Sequence, residues 1–587
     1  MRNCGQENVL LRTGEPVVST DKKRRVRERL KEAEKRLQKN QPVALRWREA
    51  GKALMVILED LTVLQYKFTD ARGPPDVQSI KIDHSVADQS QERLLSADIG
   101  VTCQLMVAST RNGRLLLFDA RKHERGAAGD HLGASGTRLL EALTASSVAL
   151  PGPASRVRIN CSSDLVLAQC GSHVVIIHVT SGPQGRKSGP AVRQMFLSPE
   201  EADKARAPTV TDDVISCRFS RHLPNRVLVV QRARAQGTSL EFLARAFEYR
   251  EAERQLDLVT SSTVVGLESN VTAVAWSPRE DQVVLGTRDG GIFLHDLGRG
   301  TLRTVPGCGR GEVDLLTWHP DGALIAAAFG NGEVLFLDGA LQRTELESDL
   351  KPALESLHLS KVHGFKCHVA LFEWAVQPAK PAPDSAEGSC LHAALVMERG
   401  PVDVLRFPVR SSGGRLRARD VVKHYIEDGT PEKALEVAAA LPDALERYHC
   451  LLQILPALLR QTLKPRAADA LLDRAAQMIA SPTWDDVSPQ QREALRALAR
   501  RYGQRLIRAG CAERAFRLGR KLEDDALLSD VLVWAVRNDE APLADAVKRL
   551  IVQPALGNRD AGGGPLSAAA SLPTPSEFRA LSALAVW

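Results

Sequence analysis

His358, His363, Cys367 and His368 stand within eleven residues of one another, and together could offer imidazole and thiolate groups to a zinc ion. Adjacent Cys367 and His368 would point to opposite faces of a strand, which leaves at most three convergent groups. The stretch therefore reads as the start of a β-unit, and no metal site is expected. Other catalytic chemistry is thin. The chain has no G-x-x-x-x-G-K-[ST] phosphate loop, no G-x-S-x-G elbow, no H-E-x-x-H and no C-x-x-C pair. The nearest phosphate-loop mimic, Gly182-Pro-Gln-Gly-Arg-Lys-Ser, has the wrong spacing. No catalytic residue and no cofactor is assigned, and a non-enzymatic role is expected.

A sharper candidate lies near the start. Residues 21–40 read DKKRRVRERLKEAEKRLQKN, with Val26, Leu30, Ala33 and Leu37 on one helical stripe. Lys22, Lys23, Arg24, Arg25, Arg27 and Arg29 crowd the first two turns. Cations there oppose the helix macrodipole, so local helix stability does not explain the arrangement. Two readings follow: attraction to an anionic membrane surface or acidic protein face, or a solvated helix packing its narrow stripe on the rest of the fold. Nucleic acid is not expected, because the segment lacks aromatic residues for base stacking. Residues 1–50 hold 14 Lys/Arg against 7 Asp/Glu, a surplus equal to the +7 of the whole chain, so the other 537 residues are formally neutral together.

The elements that would carry these residues show themselves by repetition. Residues 271–297 read VTAVAWSPREDQVVLGTRDGGIFLHDL and residues 313–339 read VDLLTWHPDGALIAAAFGNGEVLFLDG. Val271, Trp276, Pro278, Gly290 and Asp296 recur as Val313, Trp318, Pro320, Gly332 and Asp338, each at an offset of 42 residues. That period is the length of a WD40 propeller blade, roughly 40–45 residues. Asp289-Gly290 and Asn331-Gly332 suit the positive φ of tight hairpins. The Asp six residues after each Gly closes the unit, as does Asp119 after Gly113 further upstream. Weaker strand groups at 45–68, 157–179, 214–243 and 369–408 bring the expectation to about seven blades, with a surface loop at 378–388.

After a Ser-Gly-Gly link at 411–414 the period becomes helical. Ala434, Ala438, Leu441, Leu445, Tyr448, Leu452 and Leu455 trace one apolar stripe over two helices. Helix starts are marked at Thr430-Pro431 and at Ser488-Pro489-Gln490-Gln491, the latter a capping box. PEKALEVA at 431 and AERAFRLG at 512 echo each other 81 residues apart, each after a Gly. Mainly β plus α architecture follows: a segment 1–43 with the basic helix, a divergent WD40-like β-propeller over 44–410, an α-solenoid over 415–552 and a flexible tail over 553–587.

Composition agrees. The chain is 44% hydrophobic and 25% charged, the balance of globular protein rather than of disorder, and its ten cysteines are scattered as in a reducing compartment. No run is apolar enough for a bilayer-spanning helix; residues 165–179 read as paired strands. No secretory leader is expected from MRNCGQENVLLRTGEPVVST.

The order of basic helix, divergent propeller and helical array resembles the WD repeat-containing planar cell polarity effector family, also called Fritz. The likeness is carried by 22–40 with 44–65, by HPDGALIAAAFGNGEVLFLD (319–338), MERGPVDVLRF (397–407) and LLRQTLKP (458–465), and above all by LARRYGQRLIRAGCAERAFRLGRKLEDDALLSDVLVWAVRNDEAPLADAVKR (498–549). The resemblance implies a scaffold subunit acting with Inturned-like and Fuzzy-like proteins in a ciliogenesis and planar polarity effector complex. It further implies contact with a Rab-like small GTPase through that complex, recruitment of intraflagellar transport proteins at basal bodies, and links to septins. The expected setting is cytoplasmic, at the cilium basal body and axoneme, the cytoskeleton and the periphery of the cell membrane. A vesicle-coat or intraflagellar transport subunit is the alternative, and a hydrolase using the propeller channel a more distant one. The family usually carries a strand-forming stretch ahead of the basic helix, whereas here only 9–11 and 17–18 offer one.

Overall fold

The computed structural model describes residues 21–48, 51–68, 75–81, 93–100, 105–119, 144–171, 173–179, 213–233, 240–250, 255–305, 311–344, 356–375, 390–408, 416–460, 465–480 and 487–552. The chain divides into two compact units, Met1–Arg417 and Ala418–Trp587. The stretches 1–20, 182–188, 378–388, 411–414 and 553–587 singled out above lie outside the described residues.

The first unit is a seven-bladed propeller. Its first sheet holds β1 (Pro42–Arg48), β2 (Ala53–Leu58), β3 (Thr62–Lys67) and β4 (Asp76–Lys81); the second holds β5 (Leu94–Ile99), β6 (Leu105–Thr110), β7 (Arg114–Asp119) and β8 (Thr144–Ala149). The third has three strands, β9 (Arg156–Ile159), β10 (Leu165–Cys170) and β11 (His173–His178). The fourth comprises β12 (Asp213–Phe219), β13 (Arg226–Ala233) and the long pair β14 (Leu240–Arg250) and β15 (Gln255–Leu267). Then come β16 (Val271–Trp276), β17 (Gln282–Thr287), β18 (Ile292–Asp296) and β19 (Leu302–Val305), and after them β20 (Val313–Trp318), β21 (Leu324–Phe329), β22 (Glu333–Asp338) and β23 (Leu357–His358). A helix, α2 (Leu359–His363), precedes the seventh blade of β24 (Val369–Trp374), β25 (Cys390–Met397) and β26 (Val402–Pro408).

Every pairing inside a blade is antiparallel between consecutive strands. Strands β2, β6, β10, β17 and β21 are buried at every residue. Each blade is covered by a neighbour on both faces, so these strands read as unbroken apolar runs rather than alternating ones. The first strands of the blades touch in sequence around the axis, and β1 meets β24 to close the ring. Among the described residues, the first and seventh blades share no strand. The closure is made by side chains instead: Trp47 Nε1 donates to the Glu373 carbonyl at 3.0 Å, and Gln41 Nε2 to Glu398 Oε1 at 3.0 Å.

Helix α1 (Asp21–Lys39) completes that junction. Leu30, Ala33 and Leu37 are buried in a cluster that joins Leu54, Val56, Leu64 and Tyr66 of the first blade to Ala394, Val396, Val402 and Val404 of the seventh, with Val26 packed at its edge. An apolar seam several side chains deep is worth roughly 1.5–3 kcal/mol per large residue. The exposed Arg29–Asp76 pair at 2.9 Å adds little beside it.

The second unit contains α3 (Ala418–Glu427), α4 (Pro431–Ala440), α5 (Ala444–Arg460), α6 (Pro465–Ile479), α7 (Pro489–Arg508), α8 (Ala512–Leu522), α9 (Asp525–Arg537) and α10 (Ala541–Val552), each packed on the next. Ser488 caps α7 as a full capping box with Gln491. The echo between 431 and 512 is geometric: Gly429 and Gly510 adopt φ of +71° and +74°. Thr430 N then bonds Tyr425 O and Cys511 N bonds Leu506 O, both at 2.8 Å, the reach-back of a Schellman end. The single stripe expected over α4 and α5 breaks at their junction. Leu445 is 38% exposed, while Ala444, Tyr448, Leu451 and Leu455 face inward. The non-helical residues at 441–443 reset the helical phase, which a continuous period cannot anticipate.

Among the described residues, no helix is long and apolar enough to cross a membrane. The junction generates a test. Leu37→Ala should cost about 2–5 kcal/mol, read as a lower urea midpoint, because the cavity opens in the seam between two blades. An equal loss from Gln38→Ala, on the exposed face, would contradict the assigned role of the stripe.

Candidate functional site

Trp276 and Trp318 end the inner strands of adjacent blades in the same register, Trp276 opposite Val283 and Trp318 opposite Ile325. Gly290 and Gly332 sit in the following hairpins at φ of +86° and +80°, as does Gly113 at +73°. At Gly332 an added Cβ would also fall 2.6 Å from the Cys367 carbonyl, because the chain entering the next blade crosses there. Asp296 Oδ1 accepts from Gly298 N and Arg299 N, and Asp338 Oδ1 accepts from Ala340 N and Gln342 N, so each closes the turn after its strand. Asp119 ends β7 opposite Thr144.

The equivalent register runs around the ring as Trp47, Ile99, Ile159, Phe219, Trp276, Trp318 and Trp374. The residues immediately before them are Arg46, Asp98, Arg158, Arg218, Ala275, Thr317 and Glu373. Five are charged, and they face one another across the axis. Arg46 lies 3.5 Å from Glu373, and Glu373 also feels Asp98 and Arg158 from the second and third blades. Asp98 Oδ2 accepts from Ile159 N at 2.8 Å, and Arg218 Nη2 stands 3.9 Å from Glu280 on the turn after β16. Glu280 also accepts from Ser220 Oγ and Arg221 N, each at 2.7 Å.

Burial sets the electrostatics of this ring. It pushes the Glu373 carboxyl up to about 7 against the opposing pull of Arg46. It pulls Arg218 down to about 9, helped by Arg221, and lowers Arg156 and Arg221 as well. Arg221, on the turn after β12, is exposed to solvent. Sequence reasoning missed this ring. The dipeptides Arg46-Trp47 and Glu373-Trp374 are its visible signal, but Ile or Phe replaces the tryptophan in three blades, so the register stays hidden until the sheets align.

The residues read first behave differently. His358 Nε2 lies 4.0 Å from Glu333, His363 Nε2 bonds Asp403 at 2.7 Å, His368 Nδ1 is 3.8 Å from Asp314, and Cys367 is buried with its Sγ on the Phe365 carbonyl. The short helix α2 sends each to a separate partner. In the basic helix, Arg29 is exposed and bonds Asp76, and Arg27 is half-buried with a partner of its own. The backbone of Lys22, Lys23, Arg24 and Arg25 continues α1, while their side chains lie outside the described residues.

Comparison with known proteins agrees with this architecture. The sequence profile of the family described as WD repeat-containing and planar cell polarity effector protein Fritz matches residues 17–547. The human fritz homolog, named a WD repeat-containing and planar cell polarity effector protein, is 25% identical over 350 residues, covering 57% of this chain and 46% of the relative. The Mus musculus homolog is 23% identical over 547 residues, covering 89% of this chain and 73% of its own length. The Drosophila melanogaster protein is 21% identical over 340 residues, covering 54% of this chain and 34% of its own. The matched region is thus about half the length of the human relative.

The raised Glu373 carboxyl makes a pH prediction. A carboxyl whose folded-state pKa lies above its ordinary 4.5 favours folding fully below that value, and the contribution fades as pH rises to about 7. Glu373→Gln should therefore remove a stability decline between roughly pH 4.5 and 7, gaining on the wild type at pH 8 relative to pH 5 in paired thermal melts. Parallel pH profiles for the two proteins would refute it.

Proposed function

The chain belongs to the Fritz family of WD repeat-containing planar cell polarity effectors, and from that premise we propose that it is a non-enzymatic scaffold subunit. It assembles with Inturned-like and Fuzzy-like proteins, and through them with a Rab-like small GTPase. The assembly supports ciliogenesis by recruiting intraflagellar transport proteins to basal bodies, and it bears on septin organisation. The protein works in the cytoplasm at the basal body and axoneme, on the cytoskeleton and at the cell membrane periphery. The observation that carries this reading is the family match across both units, together with a rigid ring whose polar groups are tied between blades. A propeller and a helical array both offer broad rigid area on which other proteins dock. The alternative, a coat or transport-train subunit, rests on the same architecture without the family match.

The helical array is assigned the main partner interface. Deleting 418–552 should abolish recovery of Inturned-like and Fuzzy-like proteins in pull-downs, with the propeller still melting cooperatively; undiminished recovery would move the interface to the ring. The basic helix is assigned contact with anionic lipid or an acidic partner face. Reversing charge at Arg24, Arg25 and Arg27 should weaken sedimentation with anionic vesicles, most visibly at low salt where screening is least. Unaltered sedimentation would leave α1 with its packing role alone.

A further inference from the structure

The inner ring carries more positive charge than its carboxylates neutralise. Arg46 and Arg218 each have a carboxylate at 3.5 and 3.9 Å. Asp98, in contrast, is occupied by the backbone N–H groups of Ile99 and Ile159. Arg156 reaches only the Ser216 hydroxyl at 3.3 Å, and Arg158 only the Val157 carbonyl at 3.1 Å. No carboxylate among the described residues lies within ion-pair distance of either, nor of Arg221, and the buried Nε of Arg218 has no bonding partner. Arg158 and Arg218 occupy equivalent positions on neighbouring inner strands, with Arg221 on the turn that follows, close enough that Arg218 feels both.

Arg158 and Arg221 are exposed and Arg218 is part-buried, so the three guanidinium groups form a solvent-reachable cluster of like charge. A local surplus of one charge lining a channel concentrates oppositely charged solutes. The Arg fork matches phosphate oxygens in pairs, and guanidinium groups arriving from separate strands can meet several oxygens of one tetrahedral group where a carboxylate offers two. We propose that the propeller channel, at the end formed by the turns after the inner strands, binds a small phosphate-bearing anion through Arg158, Arg218 and Arg221. Glu280 positions Arg221 through its backbone N–H and Arg218 through the ion pair, and Glu373 borders the site as the group that limits affinity. The site is independent of the scaffold role and of the basic helix.

The test uses the full chain with inositol hexakisphosphate as probe, by isothermal titration at fixed ionic strength, with inorganic phosphate as the monovalent-site comparison. Saturable binding and a raised melting temperature are expected, since a ligand that binds only the folded state stabilises it. Arg158→Gln combined with Arg221→Gln should weaken binding at least about tenfold while leaving the unliganded melting temperature equal or higher, because both side chains are exposed and neither makes an ion pair among the described residues. Glu373→Gln at pH 8 should tighten binding by about threefold, a change in the opposite direction that misfolding cannot produce. Arg24→Gln with Arg25→Gln should leave the titration unchanged. Vesicles carrying a phosphorylated inositol lipid compete if a headgroup reaches the site and do not compete if a free phosphate is the ligand. Absence of saturable binding, binding that survives the Arg158/Arg221 double substitution, or binding lost with Arg24 and Arg25 would each overturn the site.

Discussion

Closure of the ring is the constraint on which this propeller depends. A blade is stable because neighbours cover both of its faces, and a ring left open would expose the apolar faces of its first and last blades. Many rings solve this by letting one sheet take strands from both ends of the domain. Here the described strands of the first and seventh blades stay separate, and the junction is held by Trp47 on the Glu373 carbonyl, Gln41 on Glu398 and the apolar stripe of α1. The helix is thus part of the propeller core at its last three turns, whatever its first turns contact.

That packing also accounts for a local oddity. Six cations in the first turns oppose the helix dipole, which would discourage an isolated helix. In proteins most helical stability comes from burial of an amphipathic face, and Leu30, Ala33 and Leu37 supply it. The C-terminal part is anchored, so the helix does not have to be stable alone. The packing reading of this segment holds for its apolar stripe, which is structural.

The inner ring follows from the same geometry. Each blade places one residue before its aromatic or aliphatic anchor toward the axis, and seven such positions meet there. Arg46, Asp98, Arg158, Arg218 and Glu373 come from five blades scattered over more than 300 residues of chain. Their interactions tie neighbouring blades together, as Asp98 does at Ile159, and they also leave an excess of guanidinium in a confined space.

The propeller was legible in the chain because its repeat is a matter of local chemistry. The 42-residue offset, the Asp-Gly and Asn-Gly turns and the closing Asp residues each act within one hairpin. The Gly429 and Gly510 helix ends and the Ser488 capping box were legible for the same reason. Local periodicity could not say that the α4–α5 junction shifts phase and leaves Leu445 outward, nor that α2 parts His363 from His358 and His368. It could not show that residues 30, 33 and 37 bridge two blades from opposite ends of the domain, or that lone charges in five strands meet at one axis. The last two facts depend on contacts between segments hundreds of residues apart, and only the closed ring brings such segments within reach of one another; the first two turn on a short break and a short helix whose geometry periodicity does not encode.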